Sequence, residues 1–193
     1  MSSLDVRSAS ETDRKTVIAV ITMAFATDPM ARWTFPDPAT YLSVMPQVAV
    51  AFGGNGFAHG TAHLIAGGLG AAMWLPPGVV PDNERLEALA EEHGLADRQG
   101  DMTQVFEMER YHPSEPCWYL PLIGVDPAHQ GRGCGSALLQ YALAQCDRDG
   151  IPAYLESSNP RNISLYLRHG FEIIGNIQAG SSPTMVPMLR RPR

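Results

Sequence analysis

The sequence predicts a mixed α/β fold in one domain. Three observations lead there. In the second half of the chain, short apolar runs with strand character alternate with stretches of helical periodicity. A glycine-rich turn joins one such strand, ending at Val125, to a helix that opens near Ser136. The 193 residues, 45% hydrophobic and 18% charged, are enough for one sizeable core of ordinary globular composition.

The elements follow in order. Leu4 to Ala9 reads as a first strand, and Ser10-Glu11-Thr12-Asp13 supplies helix-start residues. The following helix directs Val17, Ile18, Ile21, Met23, Ala24 and Phe25 inward, mostly at three- and four-residue spacing. Thr27-Asp28-Pro29 stops it, and an aromatic, proline-rich segment runs from Met30 to Pro38. A second helix is expected from Ala39 to Phe52, closed by Gly53-Gly54. Ala62 to Ala66 and Leu69 to Leu75 form a hairpin through Gly67-Gly68. A helix over Asn83 to His93 carries Leu86, Leu89 and Ala90 on one face and ends at Gly94. Another is expected over Met102 to Arg110. His112-Pro113-Ser114-Glu115-Pro116 is a rigid link into a strand over Cys117 to Val125, where Pro121 predicts a bulge or an unpaired position.

Beyond the glycine turn, a helix runs from Ser136 to Asp147 and stops at Gly150 and Pro152. Ala153 to Ser158 is the next strand. Asn159-Pro160 then supplies an N-cap followed by proline at the first helical position. That helix ends at Arg168-His169-Gly170, with basic residues in the last turn and glycine just beyond. Phe171 to Ile177 and Thr184 to Leu189 are final strands, joined through Gly180-Ser181-Ser182-Pro183.

The formal net charge is −6. This disfavours a nucleic-acid partner, which needs a basic face to meet phosphates, and is compatible with a cationic amine. The three cysteines, Cys117, Cys134 and Cys146, make neither an even framework nor a C-x-x-C pair, so no disulfide scaffold and no metal site is expected. Met1-Ser2-Ser3-Leu4-Asp5 lacks the basic-then-apolar pattern of a signal peptide, and the longest apolar run, Val17 to Ala26, is too short to span a bilayer. The expectation is a cytoplasmic protein without a membrane partner, monomeric or homodimeric.

The chemistry gathers at the glycine turn, where Gly131, Gly133 and Gly135 precede a helix start. Main-chain N–H groups without Cβ obstruction, at the positive end of a helix dipole, make an anion site suited to phosphate or pyrophosphate. No Gly-Lys-Ser/Thr ends the turn, so it is not a Walker A loop. A dinucleotide fingerprint is a rival: Gly131-x-Gly133 is present, and Glu156 lies about 20 residues on, where a ribose-binding acid sits. Against it, Ser136 takes the third glycine position, and Asp126 to Gln130 is a longer link than that fingerprint needs. The third reading rests on Gln130-x-x-Gly133-x-Gly135 after a strand ending in Val125. It resembles the pyrophosphate loop of the GNAT superfamily of N-acetyltransferases, which hold acetyl-coenzyme A there. Downstream, Asn159-x-x-Asn162-Ile163-x-Leu165-Tyr166-x-x-x-Gly170-Phe171 resembles the second motif of that family, in the expected order and separation.

The resemblance covers about Trp118 to Phe171. It implies a mostly antiparallel central sheet of six to seven strands flanked by helices on both faces. It also divides the single domain into residues 1–116, shaping the acceptor site, 117–171, binding acetyl-coenzyme A, and 172–193, the closing strands. Within the family the chain is most similar to puromycin N-acetyltransferase and its relatives, through His112-Pro113-x-Glu115-Pro116-x-Trp118, His129-Gln130-Gly131, Leu155-Glu156-x-Ser158 and Pro160-Arg161-Asn162. The middle, Tyr41 to Gly100, departs from that enzyme and leaves the acceptor open.

The implied reaction is direct acetyl transfer from acetyl-coenzyme A to a primary amine of a small molecule, without a metal or a covalent enzyme intermediate. Gln130, Gly131, Arg132, Gly133, Cys134, Gly135 and Ser136 would hold the pyrophosphate. Ile123, Gly124 and Val125 would offer strand-edge hydrogen bonds to the pantetheine amides, and Asn159 would touch the same arm or simply cap its helix. Tyr166 would touch the same carrier and is the candidate acid for the leaving sulfur, because a phenol near 10 can donate to a thiolate near 8.5. Glu156 is the first candidate base and His112 the second. Trp33, Phe35 and Trp118 are candidate walls of an aromatic acceptor pocket, and Asp28 a candidate partner for an ammonium group. Two other readings remain open: a nicotinamide-dependent oxidoreductase built on Gly131-x-Gly133 and Glu156, and a non-catalytic acyl-coenzyme A-binding module.

Overall fold

The computed structural model describes residues 4–95, 110–178 and 180–193. A seven-stranded sheet forms its centre, in the order β1-β2-β3-β4-β5-β7-β6. The strands are β1 (Val6–Ser8), β2 (Ala62–Ile65), β3 (Gly70–Leu75), β4 (Trp118–Val125), β5 (Ala153–Ser157), β6 (Glu172–Ile173) and β7 (Val186–Arg190). Among the described residues five neighbouring pairs are antiparallel, and only β4 and β5 run parallel. A doubly wound dinucleotide fold needs a mostly parallel sheet, so this topology argues against the oxidoreductase reading.

Helices cover both faces. On one face lie α1 (Arg14–Ala24), α3 (Pro38–Gly53) and α5 (Asn83–Glu92), with the short α2 (Pro29–Thr34) and α4 (Asn55–Ala58) joining them. Val17, Ile21, Val44, Ala49 and Leu89 meet Met73 and Leu122 of the sheet there. On the other face lie α6 (Cys134–Asp149) and α7 (Pro160–Arg168). Leu138, Leu139, Ala142, Leu143 and Cys146 of α6 form a helical stripe on Leu120, Ala153 and Leu155. Each fully buried leucine contributes about 2 kcal/mol by removal from water, and α6 ends where Gly150 turns to φ 65°.

Among the described residues the expected elements are present with small shifts of boundary, and three differences have physical causes. Met23 is 45% exposed, not inward; at 3.6 residues per turn it lies about 200° round α1 from Ile21. Asp28-Pro29 does not only end a helix but starts α2, the Asp28 side chain accepting from Met30 and Ala31 N–H. The strand expected over Phe171 to Ile177 pairs only at Glu172 and Ile173, with one isolated bridge from Ile177 to Met185. The helix expected over Met102 to Arg110 lies outside the described residues, apart from Arg110.

Pro121 behaves as expected. The β3–β4 register shifts between Met73 opposite Leu122 and Leu75 opposite Tyr119, so Leu120 and Pro121 together face one residue of β3. The bulge turns β4 just where it leaves β5. Those two strands pair only at Trp118 with Ala153 and Tyr119 with Tyr154. Further on they separate, and the β5-side edge of β4 from Leu122 to Val125 has no strand partner among the described residues.

Candidate active site

The gap between β4 and β5 opens at the carboxyl ends of two parallel strands, each followed by a helix. Ligands of α/β sheets collect at such places because helix N-termini point there. Asp126 begins the link to α6, its side chain accepting from Ala128 N–H at 2.8 Å. Gln130 Nε2 reaches the Val125 carbonyl at 3.4 Å, drawing the loop back onto the strand end. Gly131 and Gly133 then take φ of 73° and 85°, a region costly for residues with a Cβ. A Cβ at either would meet nothing within 4 Å; the glycines serve the turn, and the space beside them is open.

Gly133 is the N-cap of α6 and offers no side-chain cap. The first N–H groups of a sixteen-residue helix are therefore left to an external acceptor. Two neighbouring glycines have other reasons. A Cβ on Gly124 would meet that of Ala24 at 2.5 Å, so this glycine lets α1 lie against β4. One on Gly135 would meet Leu165 Cδ2 at 3.1 Å, so this one lets α6 and α7 approach. Cys134 is buried, its thiol 3.8 Å from the His129 carbonyl, which is a packing role. Arg132 is exposed beside the loop, and Ser136 Oγ lies 2.7 Å from His169 Nε2.

On the β5 side, Asn159 Oδ1 accepts from Arg161 N–H at 3.1 Å and caps α7. About two turns along, Tyr166 is buried against Phe171. Burial and then the nearby Asp28 carboxylate push its phenol well above the ordinary range, so it keeps its proton. Asp28 is itself buried, 5% exposed, and accepts from Ser158 Oγ at 2.7 Å. Burial raises its carboxyl despite the Ser158, Ala31 and Met30 donors. The structure thus brings Asp28, from the helices of one face, to Ser158 and Tyr166 on the other side of the gap.

Glu156 sits on β5 two residues from Tyr154, so strand alternation gives both the same face. The residue is part-buried by surface, but its carboxyl lies deep enough beside Tyr119 and Tyr154 that burial pushes it up to about 7. Those hydroxyls pull the other way. Yet Tyr154 Oη is buried without a hydrogen bond of ordinary geometry, so we take the burial as dominant. The His112 ring packs on both tyrosines, at 5.3 and 4.9 Å between centroids, which puts the second candidate base in the same cluster.

The aromatic candidates separate. Trp33 on α2 approaches Ser181 Oγ at 3.3 Å, and Phe35 is buried in the core under α1 and α3. Trp118 stands at the start of β4, its indole donating to Asp149 at the end of α6, and the structure does not bring it to the open end of the gap. A surface groove of about 740 Å³ between α1 and α3 shares no residue with the gap. Among the described residues no cluster of metal-ligating side chains occurs, and no helix is long and apolar enough to cross a membrane. Sequence reasoning missed Ser158, Tyr119, Tyr154 and His169 as neighbours of the site; only the alternation of Tyr154 with Glu156 could have signalled one of them.

The match to a known family falls on the stretch that carries the glycine turn and the Asn159 helix. Residues 100–171 match the acetyltransferase (GNAT) family. An uncharacterized N-acetyltransferase of Schizosaccharomyces pombe is 36% identical over 78 residues, 39% of this chain and 32% of its own length. The matched part spans about a third or less of the length of the curated relatives. Among solved structures, one described as histone acetyltransferase HPA2 and related acetyltransferase from Corynebacterium glutamicum superposes with a TM-score of 0.71 at 25% identity, over 99% of this chain and 97% of that one. PaiA N-acetyltransferase of Thermoplasma acidophilum, solved with coenzyme A, superposes with a TM-score of 0.58 at 14% identity, over 98% and 99% of the two chains. The described fold is the GNAT fold, with its mostly antiparallel open sheet and helices on both faces.

Proposed function

We propose that this chain transfers an acetyl group from acetyl-coenzyme A to a primary amine of a small molecule. The observation that carries the reading is the parting of β4 and β5 beyond Tyr119 and Tyr154, beside a sixteen-residue helix whose N-terminus has no side-chain cap. An extended amide-bearing arm fits along a free strand edge, and a diphosphate fits the N–H groups from Gly131 to Ser136. Acetyl-coenzyme A joins both parts and supplies the acetyl thioester.

The residues act as follows. The free edge at Ile123 to Val125 orients the arm, Asn159 borders it, and Gln130, Arg132 and the glycines hold its phosphate end. Glu156, raised to about 7, takes a proton from the attacking amine near neutral pH. As nitrogen bonds to the acetyl carbon and the carbon–sulfur bond breaks, Tyr166 donates its hydroxyl proton to the sulfur. An amine that enters as a cation first loses one proton to solvent; the attacking nitrogen then gives a second to Glu156, sulfur takes one from Tyr166, and solvent restores both residues. Asp28 and Glu156 make the acceptor side acidic, which suits an amine that arrives as a cation. The resemblance to puromycin N-acetyltransferase adds aromatic amines to the acceptors worth testing.

The test is thiol release from acetyl-coenzyme A with a panel of polyamines, arylalkylamines and puromycin. Acetylation of at least one amine is expected. Tight coenzyme A binding with no release across the panel points instead to a binding module, and preference for NADH overturns the assignment.

A further inference from the structure

The contact between Ser136 and His169 is not needed to build either helix. Ser136 lies in the first turn of α6, where the free N–H groups are. His169 ends α7, thirty-three residues on, and its Nε2 stands 2.7 Å from Ser136 Oγ. The His169 backbone is held from behind: its main-chain carbonyl accepts from Arg190 Nε at 3.0 Å, and the Arg190 guanidinium grips Asp147 of α6 with two bonds of 2.7 and 2.8 Å. Its remaining charged surroundings are Arg168 beside it in the chain and Arg193, which line the same groove.

The proton on this ring decides what Ser136 can do. If Nε2 is bare, it accepts the serine hydrogen, and the hydroxyl is spent on the histidine. If Nε2 carries hydrogen, it donates to Oγ, and the serine hydrogen is free to face an anion. The imidazolium always donates, and it adds a positive charge one side chain from the phosphate-binding N–H groups. In the free protein, burial, then Arg168 and Arg190, lower the His169 pKa and favour the neutral ring.

We propose that His169 is a positioning residue for the diphosphate site: binding of the carrier draws a proton onto its imidazole, which turns the Ser136 hydroxyl toward the phosphate. This rests on the acetyl-coenzyme A reading above. The ring does not touch the reacting atoms, so the readout is linkage rather than turnover.

Dephospho-coenzyme A is the probe, because it lacks the 3′-phosphate whose own titration would obscure the signal. Calorimetric titration in two buffers of different ionisation enthalpy counts the protons taken up. At about pH 6 the wild type takes up a measurable fraction of a proton, and at about pH 8 almost none. His169→Gln abolishes the uptake and weakens binding about fivefold at the lower pH, with little change at the higher. Imidazole resonances of the wild-type protein give the same answer without a variant: one histidine titrates higher with the ligand than without. Binding without proton uptake, or a His169→Gln variant with the wild-type pH profile, overturns the proposal alone. Absence of any binding of coenzyme A or dephospho-coenzyme A overturns it together with the functional reading.

Discussion

The two helices that follow the two parallel strands begin in opposite ways. α7 opens on Asn159-Pro160, with the asparagine side chain bonded to the Arg161 N–H. α6 opens on Gly133 at φ 85° with no side-chain cap. α2, α3 and α5 are capped by Asp28, Asp37 and Asp82. A missing cap ordinarily costs a helix about 1 kcal/mol. α1 and the short α4 also lack a side-chain cap, but of the two helices that start at the open gap only α6 leaves its first N–H groups uncapped. The difference teaches that α7 is finished by its own sequence, whereas α6 leaves its first N–H groups free for the ligand of the proposed function.

The sharpest way to break the comparison is to give α6 an acidic residue of its own. Ser136→Asp places a carboxylate in the first helical turn, which favours the helix dipole but repels a diphosphate. Coenzyme A affinity should fall about a thousandfold, from roughly 4 kcal/mol of repulsion at 4 Å in a medium of effective dielectric 20. The melting temperature should not fall. Equal losses of both would mean that α6 was never a ligand site. Next comes Tyr166→Phe on α7, expected to lower turnover about a hundredfold with coenzyme A affinity unchanged, as read by steady-state rates and titration.

Glu156→Gln tests the base and the strain it carries. In the wild type, turnover should rise with pH until about 7, where the carboxylate is formed, and the variant should lose that slope along with most of its rate. Because the folded pKa lies above the ordinary glutamate value of 4.5, ionisation favours the unfolded chain. Stability should therefore decline as pH rises from 4.5 toward 7 and stay level above. The glutamine variant should be the more stable near pH 8 by on the order of 2 kcal/mol, as judged by denaturant unfolding. The smallest effect is expected at α7: Asn159→Ala should cost about 1 kcal/mol of stability, and leaving both stability and coenzyme A affinity untouched would remove the cap and the arm contact alike.

Much of this was legible in the chain. Asn159-Pro160, the glycine turn and the Pro121 bulge announce themselves because caps, positive φ and a missing N–H are local requirements. Asp28-Pro29 carries the same start signal as Asn159-Pro160, and reading it only as a stop concealed α2. Met23 misled because apolar character was followed past the point where the helix turned it outward. Trp118 was assigned to the acceptor from its residue type, but its place at the closed end of the gap depends on strand pairing.

By itself, then, the sequence determined the strand–turn–helix units, their capping, and the kind of anion site that a glycine-rich turn before a helix makes. Only the tertiary structure decided that β4 parts from β5 after two residue pairs, that Asp28 bonds Ser158 across 130 residues, and that His169 reaches Ser136. The reason is physical. Caps and turns are settled by the dihedral angles and hydrogen bonds of a few consecutive residues, whereas a gap in a sheet and the side chains that meet over it depend on how whole elements pack on both faces at once.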